Sequence, residues 1–198
     1  MLAIAGGKGG VGKTTTALGL AAALPDRPLV VDADRDMPNL HALAGVPATD
    51  ADGPHDCPEH ACRVLPASGG DTPSADRRLG RLHTREPDSH TLVDTPAGAG
   101  VDAATPLQIA DVVVLVSTAC APALRDAAKT ASMARAVGTP VVGAVLTRTA
   151  ARPPNAADLL GCPLLATVPE VTDRPLADRR VRERYEAAAT ALLDTESL

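Results

Sequence analysis

The stretch Gly6-Gly7-Lys8-Gly9-Gly10-Val11-Gly12-Lys13-Thr14-Thr15 decides how this chain is read. It follows the apolar run Leu2-Ala3-Ile4-Ala5 and precedes an Ala- and Leu-rich segment over residues 13–24. Residues 7–14 fit the phosphate-loop pattern G-x-x-x-x-G-K-[ST], and they do so between a strand-like run and a helix-like one, as the pattern requires. Each residue type has a physical task. Glycines let backbone N–H groups close on phosphate oxygens, and the N-terminus of the following helix adds its positive dipole. Lys13 brings a point charge to terminal phosphates, and the Thr14 hydroxyl suits Mg²⁺. The phosphate-binding set read from the loop is Gly9, Gly10, Val11, Gly12, Lys13, Thr14 and Thr15.

Outward from the loop, short β-branched runs alternate with Ala/Leu/Arg-rich stretches. Strands are expected at residues 2–5, 29–34, 63–67, 91–95, 111–118, 141–147 and 164–168. They are continuously apolar, which implies burial on both faces. Helices are expected at 13–24, 38–43, 75–82, 122–136, 156–160 and 176–193. That alternation predicts an α/β fold with a mainly parallel sheet flanked by helices in three layers. Residues 45–89 are rich in Gly, Pro, Asp and His and read as a compressed, loop-rich segment with one strand. In the last helix, Val181, Tyr185, Ala189 and Leu192 form a stripe spaced to pack on the sheet. A membrane-surface helix is the rival reading, but Asp194 and Glu196 follow the stripe where basic residues would be wanted.

Composition sets outer limits. The chain has 198 residues, which suits one domain over 1–198 able to bury roughly 70% of its unfolded surface. Its 45% hydrophobic and 22% charged residues are ordinary for a globular protein. The net charge of -5 argues against a broadly basic surface for coating DNA. Tyr185 is the only aromatic residue, so the core must be built from Ala, Val and Leu, and base stacking on aromatics is nearly excluded. No apolar run approaches the roughly 18 residues of a membrane span. The N-terminal stretch enters the glycines directly and does not read as a secretory signal, so a cytoplasmic setting is expected.

Two further segments end in acids. Val30-Val31-Asp32-Ala33-Asp34 and Thr91-Leu92-Val93-Asp94 are apolar runs that reach carboxylates at the carboxyl ends of their strands. In an open parallel sheet those ends line the ligand crevice. Asp94, followed by Thr95-Pro96-Ala97-Gly98, reads as a Walker B aspartate holding Mg²⁺ directly or through water. Gly98 and Gly100 allow that loop to move with nucleotide state.

Lys8 adds something that a plain phosphate loop does not require. With it, the loop resembles the deviant Walker A box of the MinD/ParA family of ATPases, a P-loop NTPase class. The resemblance covers residues 1–45 and 90–172, and the middle only through Val64-Leu65-Pro66-Ala67. It implies ATP and Mg²⁺ as cofactors and a homodimer when ATP is bound, with Lys8 touching the partner's nucleotide. It also implies catalytic roles for Lys8, Lys13 and Asp34. Asp34 would position the attacking water, and Thr14, Asp32 and Asp94 would lie at or near the metal. Ala123-Leu124-Arg125-Asp126 also looks like MinD-type sequence, and Arg125 and Asp126 are expected at a dimer face.

The family's Asn-Arg after the next strand is replaced by Thr147-Arg148, so Thr147 offers a single hydroxyl to a base. The guanine motif T-K-x-D would need an acid at Ala150. Adenine is therefore expected, with Arg148 and the backbone at Pro169-Glu170, which resembles the family's I-P-E loop, as base contacts.

His55, Cys57, His60 and Cys62 crowd metal-ligand types into eight residues, but at no standard zinc spacing. A polar surface loop is the default reading. A metal or iron–sulfur delivery ATPase is the alternative it leaves open, and a disulfide is not expected in a cytoplasmic ATPase. Cys120 and Cys162 read as small packed residues. A dethiobiotin-synthetase-like ligase of the same fold is a further alternative. The preferred reading is an ATP-hydrolysing switch that positions or regulates an unidentified protein partner. No membrane partner is expected. The arginines at 77, 78, 81 and 85 and at 179, 180, 182 and 184 leave DNA open, although the net charge does not favour it.

Overall fold

A computed structural model describes residues 1–49, 53–67, 90–98 and 100–194. The first half contains β1 (Leu2–Ala5), α1 (Lys13–Ala23), β2 (Leu29–Asp32), α2 (Leu40–Ala44), β3 (His55–Asp56), β4 (Arg63–Leu65) and β5 (Thr91–Asp94). The second contains α3 (Val101–Ile109), β6 (Val112–Thr118), α4 (Ala121–Ala136), β7 (Val141–Thr147), α5 (Ala156–Leu160), β8 (Leu164–Thr167) and α6 (Arg179–Asp194). The described strands form an eight-stranded sheet in the order β3-β4-β2-β5-β1-β6-β7-β8. β1 lies centrally, parallel to β5 and β6. Among the described strands only the edge strand β3 is antiparallel, to β4.

The sequence explains the layers. β1, β2 and β5 are buried at every residue, as parallel strands covered on both faces must be. Alternate residues of β1 face opposite ways. Leu2 and Ile4 join Leu18 and Leu20 of α1 and Val181, Tyr185 and Leu192 of α6. Ala3 and Ala5 join Leu107 of α3 and Ala127, Ala131 and Ala134 of α4. The alanines on both sides let α4 lie close to the sheet, which suits a core with almost no aromatics.

Tyr185 is the exception and the largest fully buried side chain. Its ring lies flat on Gly19 of α1, where an added Cβ would come within 2.3 Å of Cδ2. Its hydroxyl sits 3.3 Å from Thr16 Oγ1. The apolar stripe of α6 is thus consumed by the core, which decides against the membrane-surface reading. No helix among the described residues is long and apolar enough to cross a membrane.

Several boundaries differ from those expected. The strand expected at 63–67 stops at Leu65, and the helix expected at 38–43 starts at Leu40, whose N–H is held by Asp32 Oδ2. The last helix begins at Arg179, after a separate 3₁₀ turn over Pro175–Ala177. Strand β3 and helix α3 were not expected at all. β3 is only two residues long, and Pro106 inside α3 masks its helical character in the sequence. The helix expected at 75–82 lies outside the described residues.

Candidate functional site

The phosphate loop leaves β1 and turns into α1 at the carboxyl ends of the strands. Glycine is compelled at several loop positions. Gly12 has φ 92°, the left-handed conformation that begins α1. Gly7 passes so close to α4 that a Cβ would meet the Asp126 backbone at 2.4 Å. Asp126, expected at a dimer face, therefore supports the loop with its backbone, and its carboxylate accepts a hydrogen bond from Lys129 at 3.1 Å. Arg125 is exposed.

Lys13 is buried and donates to the Lys8 carbonyl at 3.4 Å. Burial lowers its pKa, while the carboxylates of Asp94 and Asp34 pull it back up. Asp94 is buried at the end of β5, and its Oδ1 has no hydrogen-bond partner. Burial pushes its pKa up to about 7, opposed by the Thr14 hydroxyl and assisted by the nearby Asp32. Thr14 Oγ1 donates to Asn39 Oδ1 at 2.9 Å. Hydroxyl, carboxylate and amide oxygens are the hard donors that Mg²⁺ takes, and the orphaned oxygen of Asp94 leaves one of them free for it.

The paired aspartates divide their work. Asp34 is half-buried and accepts the Met37 N–H at 3.0 Å. Asp32 takes the Asp34 N–H at 3.0 Å on one oxygen and the Leu40 N–H at 3.3 Å on the other. Burial raises its pKa to about 6 against those two donors. Expected near the metal, Asp32 lies beside Asp94 on the neighbouring strand, and it also clasps the loop that carries Asp34 and the start of α2.

A cavity of about 570 Å³ opens over the loop, within the usual range of small-molecule sites. It brings together Gly9, Gly10, Gly12, Lys13, Thr14, Thr15, Asp34, Asp94 and Arg148. Asn39, Thr95 and the apolar Met37, Ala42 and Leu43 complete much of its wall. Val11 is buried beneath the loop rather than in the cavity. Lys8 is exposed at the apex, outside it. Asp32 and Pro169 are not among its lining residues.

Thr147 does something the sequence did not suggest. Its hydroxyl donates to the Val11 carbonyl at 2.6 Å and lies 3.3 Å from the Ser117 carbonyl. It ties the loop to β7 and is not offered to a base. Arg148 follows with φ 54°, a strained conformation for a non-glycine residue. Asn39 was likewise missed as a site residue. Nothing local in the sequence marks its contact with the loop threonine 25 residues away.

The loop lies at the surface as expected, with Asp56, Pro58, Glu59 and Ala61 exposed, but its two cysteines do not. Cys57 and Cys62 are buried in the core, with their sulfurs 3.3 Å apart. His55 Nε2 lies 2.6 Å from the Thr49 carbonyl. Among the described residues no group of three or more His, Cys, Asp or Glu is placed to hold a metal ion. Cys162 is buried as expected, whereas Cys120 is exposed. In the C-terminal arginine cluster, Arg179 pairs with Glu183 at 3.0 Å and Arg180 with Asp178 at 2.8 Å. The cluster over 77–85 lies outside the described residues.

Residues 2–180 match the CobQ/CobB/MinD/ParA nucleotide binding domain family. An uncharacterized ATP-binding protein of Methanocaldococcus jannaschii is 34% identical over 168 residues, 75% of this chain and 64% of that relative. The match thus spans less than two thirds of that relative's length. The septum site-determining protein MinD of Pyrococcus horikoshii, solved with Mg-ADP, superposes with a TM-score of 0.84. It is 24% identical, with 100% of this chain and 98% of that one covered. The cell division ATPase MinD of Pyrococcus furiosus superposes with a TM-score of 0.80 at 26% identity, covering 98% of each chain. With a family match over residues 2–180 and a parallel sheet that superposes on MinD along nearly the whole chain, this protein belongs to the CobQ/CobB/MinD/ParA nucleotide binding domain family and has the P-loop NTPase fold.

Proposed function

We propose that the chain, working as one domain, is an ATP-dependent dimerisation switch. It binds Mg-ATP in the cavity over the phosphate loop and hydrolyses ATP with water to ADP and phosphate. The observation that carries this is the convergence of Lys13, Thr14, Asp34 and Asp94 on one cavity, with a buried Asp94 oxygen left without a partner. The Pyrococcus horikoshii relative is complexed with Mg-ADP, which supports the same ligand here.

The roles follow from placement. Loop N–H groups and the α1 dipole take the phosphates. Lys13, set beside the carboxylates of Asp94 and Asp34, neutralises the terminal ones. Thr14 and Asp94 would hold Mg²⁺, which would supply neutralisation of charge on the phosphate oxygens. Asp34, fixed by Asp32 and by its own bond to Met37 N–H, orients water towards the γ-phosphate. Lys8 lies outside its own cavity and reaches the phosphates of a second copy across the dimer face. Arg148 lines the cavity where it can contact the adenine. Turnover is slow until a protein partner completes the site, as in other switch NTPases.

Phosphate release by the wild type, Lys13→Ala and Asp34→Ala tests this reading. Lys13→Ala is expected to lose nucleotide binding. Asp34→Ala is expected to keep ATP binding and lose most turnover, by roughly 10²-fold or more. Normal hydrolysis by either variant overturns the assignment.

A further inference from the structure

Cys57 and Cys62 face each other where the β3–β4 hairpin runs on towards its turn. The ladder pairs His55 with Val64 and Asp56 with Arg63, so Cys57 and Cys62 are the next opposed pair. The Cys57 N–H donates to the Cys62 carbonyl at 3.1 Å. Both thiols are free, and Cys62 Sγ donates to Cys57 Sγ at 3.3 Å. Opposed residues of antiparallel strands have Cα atoms about 4.5–5.5 Å apart, inside the span that a disulfide bridges. We propose that Cys57 and Cys62 form a reversible thiol–disulfide exchange site that reacts with small external disulfides and closes into a cross-strand staple.

The two sulfurs are not equivalent. Cys62 is fully buried, while Cys57 keeps 8% of its surface exposed. The hydrogen bond from Cys62 lowers the Cys57 pKa and Arg27 assists, against burial and Asp56. The same bond and burial raise that of Cys62. Cys57 is therefore the attacking thiolate. It displaces one sulfur of RS–SR, breaking that bond and releasing RS⁻. Cys62 then gives up its proton and attacks the Cys57 sulfur, expelling the second RS⁻. The protein thiols lose two electrons and two protons, and the external disulfide leaves as two RSH.

The bridge would close a short loop with structural consequences. Its tip carries Glu59, which pairs with Arg174 at 2.7 Å. Pro58 lies against Gly45, the left-handed residue that ends α2. Closing the loop fixes this sheet edge behind the helix that follows the Asp34 segment.

The test equilibrates the full chain with oxidised and reduced glutathione, blocks remaining thiols with a maleimide and maps the products by mass spectrometry. The expected result is loss of two hydrogens with a Cys57–Cys62 cross-link. The pair should form at least about tenfold more readily in native protein than in concentrated urea, because the fold holds the sulfurs together. This comparison uses only the wild type, so it does not depend on whether Cys57→Ser folds. In Cys62→Ser, glutathione should remain on Cys57, while exposed Cys120 takes its own adduct in every sample. The proposal is overturned if the native pair forms no more readily than the unfolded one. It is also overturned if native wild-type protein accumulates glutathione on Cys57 without release to Cys62.

Discussion

Asp94 is buried, ionisable and half unpartnered, so metal-free protein pays for keeping it. Its pKa near 7 and that of Asp32 near 6 both exceed the ordinary 3.8. Between those limits the folded state binds more protons than the unfolded one, so stability falls as pH rises from about 4 to 7. Denaturant melts of metal-free protein across that range should show the slope, and Asp94→Asn should flatten it. Asp94→Asn should also stabilise the metal-free chain by about 1–3 kcal/mol while abolishing further stabilisation by Mg-ATP. Unchanged pH dependence in Asp94→Asn would remove Asp94 as its source. Thr147→Val leaves the Val11 carbonyl without its donor and should cost about 1–3 kcal/mol of stability, with weaker nucleotide binding in titration calorimetry. At this scale the sequence was most legible where chemistry is local. Lys13, Thr14, Asp34 and Asp94 declare themselves by spacing and by apolar runs that end in them. The contacts of Asn39 with Thr14 and of Thr147 with Val11 join residues 25 and 136 positions apart, and no local pattern encodes them.

Among elements, α1 and α6 are joined through the one aromatic residue. Gly19 exists because the Tyr185 ring occupies the space of its side chain. Gly19→Ala should destabilise the fold by about 1–3 kcal/mol through overpacking, read as a lower urea midpoint. Tyr185→Phe removes only the bond to Thr16 and should cost about 1 kcal/mol. If Gly19→Ala were neutral, the close packing of these helices would be wrong. The stripe Val181, Tyr185, Ala189 and Leu192 was readable because helical period and burial agree. α3 was not: Ala103, Pro106, Leu107 and Ala110 are buried at helical spacing, but its polar and apolar residue types are weakly separated in the sequence and Pro106 interrupts its character. β3 escaped notice because two residues carry no periodicity, although they bring the two cysteines together.

At the scale of the molecule, the α/β class followed from alternating strands and helices, and continuous apolar runs implied a parallel sheet. The strand order β3-β4-β2-β5-β1-β6-β7-β8 was not readable, since pairing between distant segments leaves no mark in composition or spacing. That order sets β1 between β5 and β6 and places Lys13 beside Asp94. In the proposed switch, Lys8, exposed outside the cavity, serves the nucleotide of a second copy that closes over it. Light scattering of Asp34→Ala, which should hold ATP without consuming it, tests that closure directly. The expected result is a dimer with Mg-ATP and a monomer with Mg-ADP, and loss of the dimer when Lys8→Ala is added. A monomer with Mg-ATP demonstrably bound would contradict the switch.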